Sequence, residues 1–196
     1  MEVLSVEPSG RNGKIRVVFG NGTTLFLYKS EVKKYDLKEG AVDDSVYDSI
    51  IEDTIRPRCR TRALHLIAKM DRTESDVRQK LTEGGYPEDI IDDTMAFMRE
   101  YHYVDDLEYA KAYFRTYGDT KSLKVIAQKL MEKGLSKETI RQACEEAYTG
   151  SEEDLIRSLL EKRHYNPETA DRKEREKTAR FLMGKGFSYD SFSAFL

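Results

Sequence analysis

One repeated turn constrains this chain more than any other feature. Leu81-Thr-Glu-Gly-Gly85-Tyr86, Leu130-Met-Glu-Lys-Gly134-Leu135 and Leu182-Met-Gly-Lys-Gly186-Phe187 match one another, with their last glycines 49 and 52 residues apart. Each of these glycines follows a leucine by four positions and precedes a large apolar residue. The match continues downstream. Ile91, Met95 and Met98 fall at the same offsets as Ile140, Cys144 and Ala147, and Phe192 and Leu196 extend the set in the third copy. Steps of i, i+4 and i+7 trace one face of a helix. Three copies at a fixed spacing mark an array, in which no unit buries its own apolar face and stacking does so.

The glycines predict the local geometry. Gly85, Gly134 and Gly186 each fall just past a helical stretch, where the backbone often turns left-handed and only glycine does so without penalty. A new helix then starts at Pro87, Ser136 or Ser188. Two further helical stretches precede each glycine; in the first copy these are 58–70 and 74–83. Thr73-Glu-Ser-Asp76 and Ser151-Glu-Glu-Asp154 fit capping-box starts with Asp in the usual Glu place.

Residues 1–30 have a different pattern. Lys14–Phe19 and Thr23–Tyr28 are rich in β-branched and aromatic residues, and Gly20-Asn21-Gly22 between them carries the Asn-Gly signal of a two-residue hairpin turn. Val3–Val6 is a candidate third strand. Residues 30–35 read as a short helix closed by Gly40. Residues 44–55 read as a second helix, ended at Arg56-Pro57 because the residue before proline is pushed out of the helical region. The expected fold is mainly α. Three tandem three-helix repeats (58–105, 106–150, 151–196) form an elongated array, preceded by a small amino-terminal β-hairpin/helix appendage (1–57) with a thin core of its own.

The net charge of −3 gives no bulk attraction to nucleic acid, and the four segments carry −2, −2, +1 and 0. Any contact with a polyanion must come from local faces. Cys59 and Cys144 lack CxxC spacing, as expected of reduced thiols. No signal pattern and no membrane-length apolar run is present, so the chain reads as soluble and cytoplasmic; a monomer is expected.

Three stretches resemble the RecX family. Residues 63–81, from Ala63-Leu-His-Leu-Ile-Ala-Lys-Met through Thr73 and Asp76 to Leu81, resemble its opening. Tyr103-Val-Asp105-Asp106-Leu-Glu-Tyr109-Ala110 lies between the first two copies. Phe181-Leu-Met-Gly-Lys-Gly186-Phe187-Ser188-Tyr189-Asp190 resembles the closing stretch and is the most distinctive. Met70 stands where the family usually has Arg, Ser122 where it usually has Gly, and Gly184 and Lys185 replace part of a basic pair. The resemblance implies a non-enzymatic regulator, usually an inhibitor, of the RecA recombinase. It would lie in the groove of the RecA filament on single-stranded DNA and affect filament growth and ATP hydrolysis in recombination and repair. The alternative is a helical-repeat protein that binds DNA directly on its own targets.

Candidate contacts follow from helical spacing. If 58–72 is one helix, Arg58, Arg62, His65, Lys69 and Arg72 share a face at about 100° per residue, with Ala63, Leu66, Ile67 and Met70 pointing away. Such a ridge suits a phosphate backbone or an acidic partner; the competing reading is an ordinary solvated face. Lys173, Lys177 and Arg180 form a shorter stripe, which ion pairs with the interleaved Glu174 and Glu176 would explain away. Lys80 and Lys129 are repeat equivalents. No cofactor is expected. His65, His102 and His164 lack zinc-site spacing, and no phosphate-cradling glycine motif is present. Asp105-Asp106 reads as a helix cap rather than a catalytic pair. Tyr101, Tyr103, Tyr109, Tyr113 and Tyr117 read as packing between the first two repeats, with base stacking as the alternative.

Overall fold

The structure is a computed structural model that describes residues 1–10 and 13–196. It divides into two units, Met1–Val104 and Asp105–Leu196.

The first unit opens with strands β1 (Glu2–Pro8), β2 (Lys14–Phe19) and β3 (Thr24–Tyr28), helix α1 (Lys29–Lys34) and strand β4 (Gly40–Ala41). The sheet is antiparallel in the order β3-β2-β1-β4. Alternation sends Val17 and Phe19 of β2, and Leu25 and Leu27 of β3, into the core. The hairpin turn differs from the expected primed form. A type I′ turn needs positive φ at both central residues, yet only Gly22 (φ 86°) has it. Gly22 N–H donates to Phe19 O at 2.9 Å and Phe19 N–H to Thr23 O at 2.9 Å, giving a three-residue loop with glycine at its left-handed position. The end of α1 differs too. Asp36 (φ 45°), not Gly40, makes the left-handed turn, and Leu37 N–H donates to Val32 O at 3.0 Å.

Pro57 does not end a helix. Helix α2 (Asp44–Ile50) runs through a π-helical turn (Ile51–Ile55) directly into α3 (Arg56–Ile67), and Arg56 stays helical at φ −59°, ψ −50°. A proline ring clashes with the carbonyl four residues earlier and lacks an N–H to bond it. The π turn relieves both, because Arg56 N–H reaches back five residues to Ile51 O. Helices α4 (Glu74–Glu83) and α5 (Glu88–Glu100) complete the first repeat. The sheet has no separate core: Val17, Phe19, Leu25 and Leu27 join one buried cluster with Cys59, Ala63, Val77, Leu81 and Met95.

The second unit holds α6 (Asp106–Tyr117), α7 (Leu123–Glu132), α8 (Lys137–Ala147), α9 (Glu152–Glu161), α10 (Arg172–Gly184) and α11 (Tyr189–Phe192). One cluster gathers around Phe114, Ile126 and Leu130 in α6–α8. Another gathers around Ile156, Leu182 and Phe192 in α9–α11. The repeat leucines Leu81, Leu130 and Leu182 are all fully buried, and truncating such a leucine to alanine costs ~2–5 kcal/mol.

All three repeat glycines turn left-handed, at φ 79°, 86° and 94° for Gly85, Gly134 and Gly186. The same two hydrogen bonds close each helix. Tyr86, Leu135 and Phe187 N–H donate to Leu81, Leu130 and Leu182 O, and each glycine N–H donates to the carbonyl three residues earlier. This pair satisfies carbonyls that a helix end otherwise leaves unbonded. The next helix is then capped where a hydroxyl is available: Ser136 Oγ accepts from Thr139 N–H and Ser188 Oγ from Ser191 N–H.

Candidate functional site

Helix α3 and the sheet enclose a groove of about 510 Å³. From α3 come Arg58, Arg62 and His65, and from the strands Lys14 and Tyr28; Tyr86 closes the end after α4. Arg58 is committed to the fold. Its guanidinium pairs with Glu31, donates to Phe26 O at 3.1 Å and lies 5.0 Å from the centre of the Tyr28 ring. Both partners of the ion pair are about four-fifths buried, so removing one would leave a costly unpaired charge. Lys14 Nζ lies 5.4 Å from the same ring. Burial pushes the Tyr86 phenol up to about 12. Arg62 and His65 are exposed and make no hydrogen bond or ion pair among the described residues.

The stripe expected over 58–72 is shorter than its spacing implies. Helix α3 ends at Ile67, and before α4 the backbone turns extended at buried Thr73 (φ −75°, ψ 159°), whose Oγ1 accepts from Asp76 N–H at 3.1 Å. Lys69 and Arg72 therefore lie beyond the helix. Lys69 is exposed, whereas Arg72 Nε donates to Leu66 O at 3.2 Å and ties down the end of α3. Met70, expected on the apolar side, is 59% exposed.

Lys80 and Lys129 behave as true repeat equivalents. Each pairs at 2.7 Å with the glutamate three residues on, Glu83 and Glu132, and the same two glutamates accept from Gln79 and Gln128 at 3.1 Å. These pairs hold the two carboxyls below their usual range and commit both lysines to their own helices.

The α10 stripe has the opposite character. Glu176 accepts from Arg172 at 3.0 Å, and Lys173 and Lys177 make no ion pair among the described residues. They line a cavity of about 370 Å³ together with Arg163, Tyr165 and Asp171. Asp171 is occupied as the cap of α10, accepting from Glu174 N–H at 2.7 Å. Arg180 Nε donates to Glu176 O at 3.3 Å. Arg163 and Lys185 both approach the Phe181 ring, at 4.3 and 5.6 Å from its centre. Helical spacing could not reveal Arg163 or Lys14, since each reaches its cavity from a different element. Only the folded chain brings them beside the stripes.

The remaining candidates resolve as structure. Asp105 caps α6, accepting from Leu107 and Glu108 N–H at 2.9 and 3.0 Å. Tyr109, Tyr113 and Tyr117 pack on the α6–α8 cluster. Tyr101 and Tyr103 instead gather on Phe97 of their own repeat and stay 58% and 45% exposed. Cys59 is buried, and burial pushes its thiol up. Among the described residues no cluster of His, Cys, Asp and Glu is gathered to hold a metal ion, and no helix is long and apolar enough to cross a membrane.

Comparison with known proteins places three domains along the chain in order. Residues 59–98 match the first three-helix domain of RecX, 105–143 the second and 151–196 the third. Over 193 residues the chain is 31% identical to the regulatory protein RecX of Clostridium acetobutylicum, spanning 95% of this chain and 90% of that one. It is 28% identical to the regulatory protein RecX of Clostridium perfringens strain 13, spanning 96% and 92%. A crystal structure of a regulatory protein RecX superposes with a TM-score of 0.63 at 25% identity, covering 98% and 97% of the two chains. That of RecX from Lactobacillus salivarius gives 0.61 at 26%, covering 71% of this chain and 92% of the other.

Proposed function

This chain belongs to the RecX family, and on that premise we propose that it regulates the RecA recombinase by binding the RecA filament on single-stranded DNA. The sense of the regulation is inhibitory: filament growth and ATP hydrolysis slow in recombination and repair. The regulatory role is that of the named relatives, and a non-enzymatic mode of action in the cytoplasm goes with it.

The observation that carries the reading is the pattern of committed and uncommitted cations. Lys80 and Lys129 are spent on glutamates of their own helices, while Arg62, Lys69, Lys173 and Lys177 are left exposed without ion pairs among the described residues. A chain of net charge −3 that leaves such groups uncommitted can engage a polyanionic surface through local attraction. A nucleoprotein filament offers that surface repeatedly, so weak contacts add up. Arg58 and Arg72 act as supports in this reading, since Arg58 is bound by Glu31 and Arg72 by the end of α3.

Co-sedimentation tests the reading. The protein should pellet with RecA-coated single-stranded DNA at concentrations where it leaves bare DNA largely free. Equal partition between coated and bare strands would favour the alternative, a protein that binds DNA on its own targets.

A further inference from the structure

We propose that Arg60, Phe97, Tyr101 and Tyr103 form a docking spot for a protein surface that presents a carboxylate beside an apolar side chain. The proposal rests on the filament reading above and assigns that surface to RecA itself, not to the DNA it coats. Among the described residues, six helix ends turn left-handed with the same hydrogen-bond pair, at Asp36, Gly85, His102, Gly134, His164 and Gly186. The residue after such a turn commonly packs back on the last turn of its helix. Leu37, Leu135 and Phe187 are buried there, and Tyr86 and Tyr165 are half-buried, whereas Tyr103, after His102, stays 45% exposed. It packs back on Phe97 of α5 with ring centres 5.9 Å apart, and Tyr101 joins Phe97 at 4.8 Å. The apolar contact that the other five turns close is thus left open at this one.

Arg60 sets the charge of the occupant. Its guanidinium lies 4.8 Å from the centre of the Phe97 ring, and its Nε is buried with no hydrogen-bond partner. No carboxylate among the described residues pairs with it: Asp93 pairs with Arg56, Glu74 pairs with Arg99, and the exposed Glu100 makes no ion pair. An arginine held over a ring offers its terminal nitrogens as a planar fork that matches a carboxylate. Tyrosine and arginine are also the side chains on which protein interfaces concentrate their binding energy. A strand of nucleic acid fits less well. Bases stack on rings with open faces, but Arg60 lies over Phe97, and Tyr101 and Tyr103 stack on each other, 20° from parallel with centres 6.2 Å apart.

Co-sedimentation of the full-length protein with RecA-coated single-stranded DNA, across a salt series, tests the docking spot. Tyr101→Ser and Tyr103→Ser should each weaken binding about fivefold or more with the salt slope unchanged, because the lost contact is apolar. Arg60→Lys should weaken it too, since an ammonium keeps the charge but not the fork. Tyr189→Ser removes a tyrosine as exposed as Tyr101 (59% against 58%) from α11 and should leave binding within about twofold of the parent. Circular dichroism confirms that each variant is folded. The assignment is overturned if Tyr101→Ser and Tyr103→Ser bind no worse than Tyr189→Ser, or if Arg60→Lys binds as tightly as the parent. It is equally overturned if the tyrosine variants lose affinity for bare oligo(dT) by the same factor, which would seat a nucleic-acid strand on the rings. A parent protein that stays in the supernatant refutes the RecA reading itself and the docking spot with it; a parent that pellets alongside unaffected tyrosine variants refutes the docking spot alone.

Discussion

Ser122 N–H donates to Lys185 O across 3.2 Å, joining the start of α7 to the turn that ends α10. The two segments lie so close that a β-carbon on Gly186 would stand 2.5 Å from Ser122 Oγ and inside the envelope of the Val125 side chain. Gly186 is therefore constrained twice, by its positive φ and by its neighbours. Gly186→Ala should destabilise the chain by ~2–4 kcal/mol, combining the left-handed penalty with overpacking. Gly134→Ala should cost ~1–2 kcal/mol through its left-handed backbone (φ 86°). Urea denaturation measures both, and adding Val125→Ala should recover part of the Gly186→Ala loss.

Two histidines occupy positions where the repeats use glycine. His102 (φ 53°) and His164 (φ 54°) close α5 and α9 with the same hydrogen-bond pair: Tyr103 N–H to Met98 O at 2.8 Å with His102 N–H to Arg99 O at 3.0 Å, and Tyr165 N–H to Leu160 O at 3.1 Å with His164 N–H to Glu161 O at 2.8 Å. A side chain pays a penalty there that glycine avoids. His102→Gly and His164→Gly should each stabilise the fold by roughly 0.5–1 kcal/mol, after allowing for glycine's greater freedom when unfolded. Urea midpoints shifted downward in both variants would contradict this account of the turns.

These turns also show what was legible beforehand. Gly85, Gly134 and Gly186 announce themselves because glycine is the cheap residue at positive φ, and α4 starts and stops where Thr73 and Gly84 place it. His102, His164 and Asp36 make the same turn with no such signal. The continuation of α2 into α3 was hidden because proline rules describe a regular helix, and a π turn escapes them. The basic stripe was legible as spacing, but not its fate. Whether a cation is spent depends on partners such as Glu31, Glu83 and Leu66 O, which sit on other elements or at helix ends. The grooves were not legible, since Lys14 and Arg163 enter them from elsewhere in the chain.

Tyr86 predicts a signature at alkaline pH. Its phenol loses its proton at about 12 when folded, against 10.0 ordinarily, chiefly because burial disfavours the charged form. The folded state thus holds this proton more tightly than the unfolded one. Its stabilising contribution is full below pH 10 and is lost as pH rises through about 12. Tyr86→Phe should flatten the fall of the urea midpoint over that window relative to the parent. Parallel profiles would show that Tyr86 ionises as it does in the unfolded chain.

The central claim is regulation of RecA, and the rate of RecA-catalysed ATP hydrolysis on single-stranded DNA measures it most directly. Titrating the full-length protein should slow hydrolysis to a saturable limit. The combined Arg62→Glu, Lys173→Glu and Lys177→Glu variant should stay folded, since all three side chains are exposed, with circular dichroism as the check; it should need a higher concentration for the same effect and lose less with added salt. An unchanged rate at saturating concentrations of the parent protein would contradict the account.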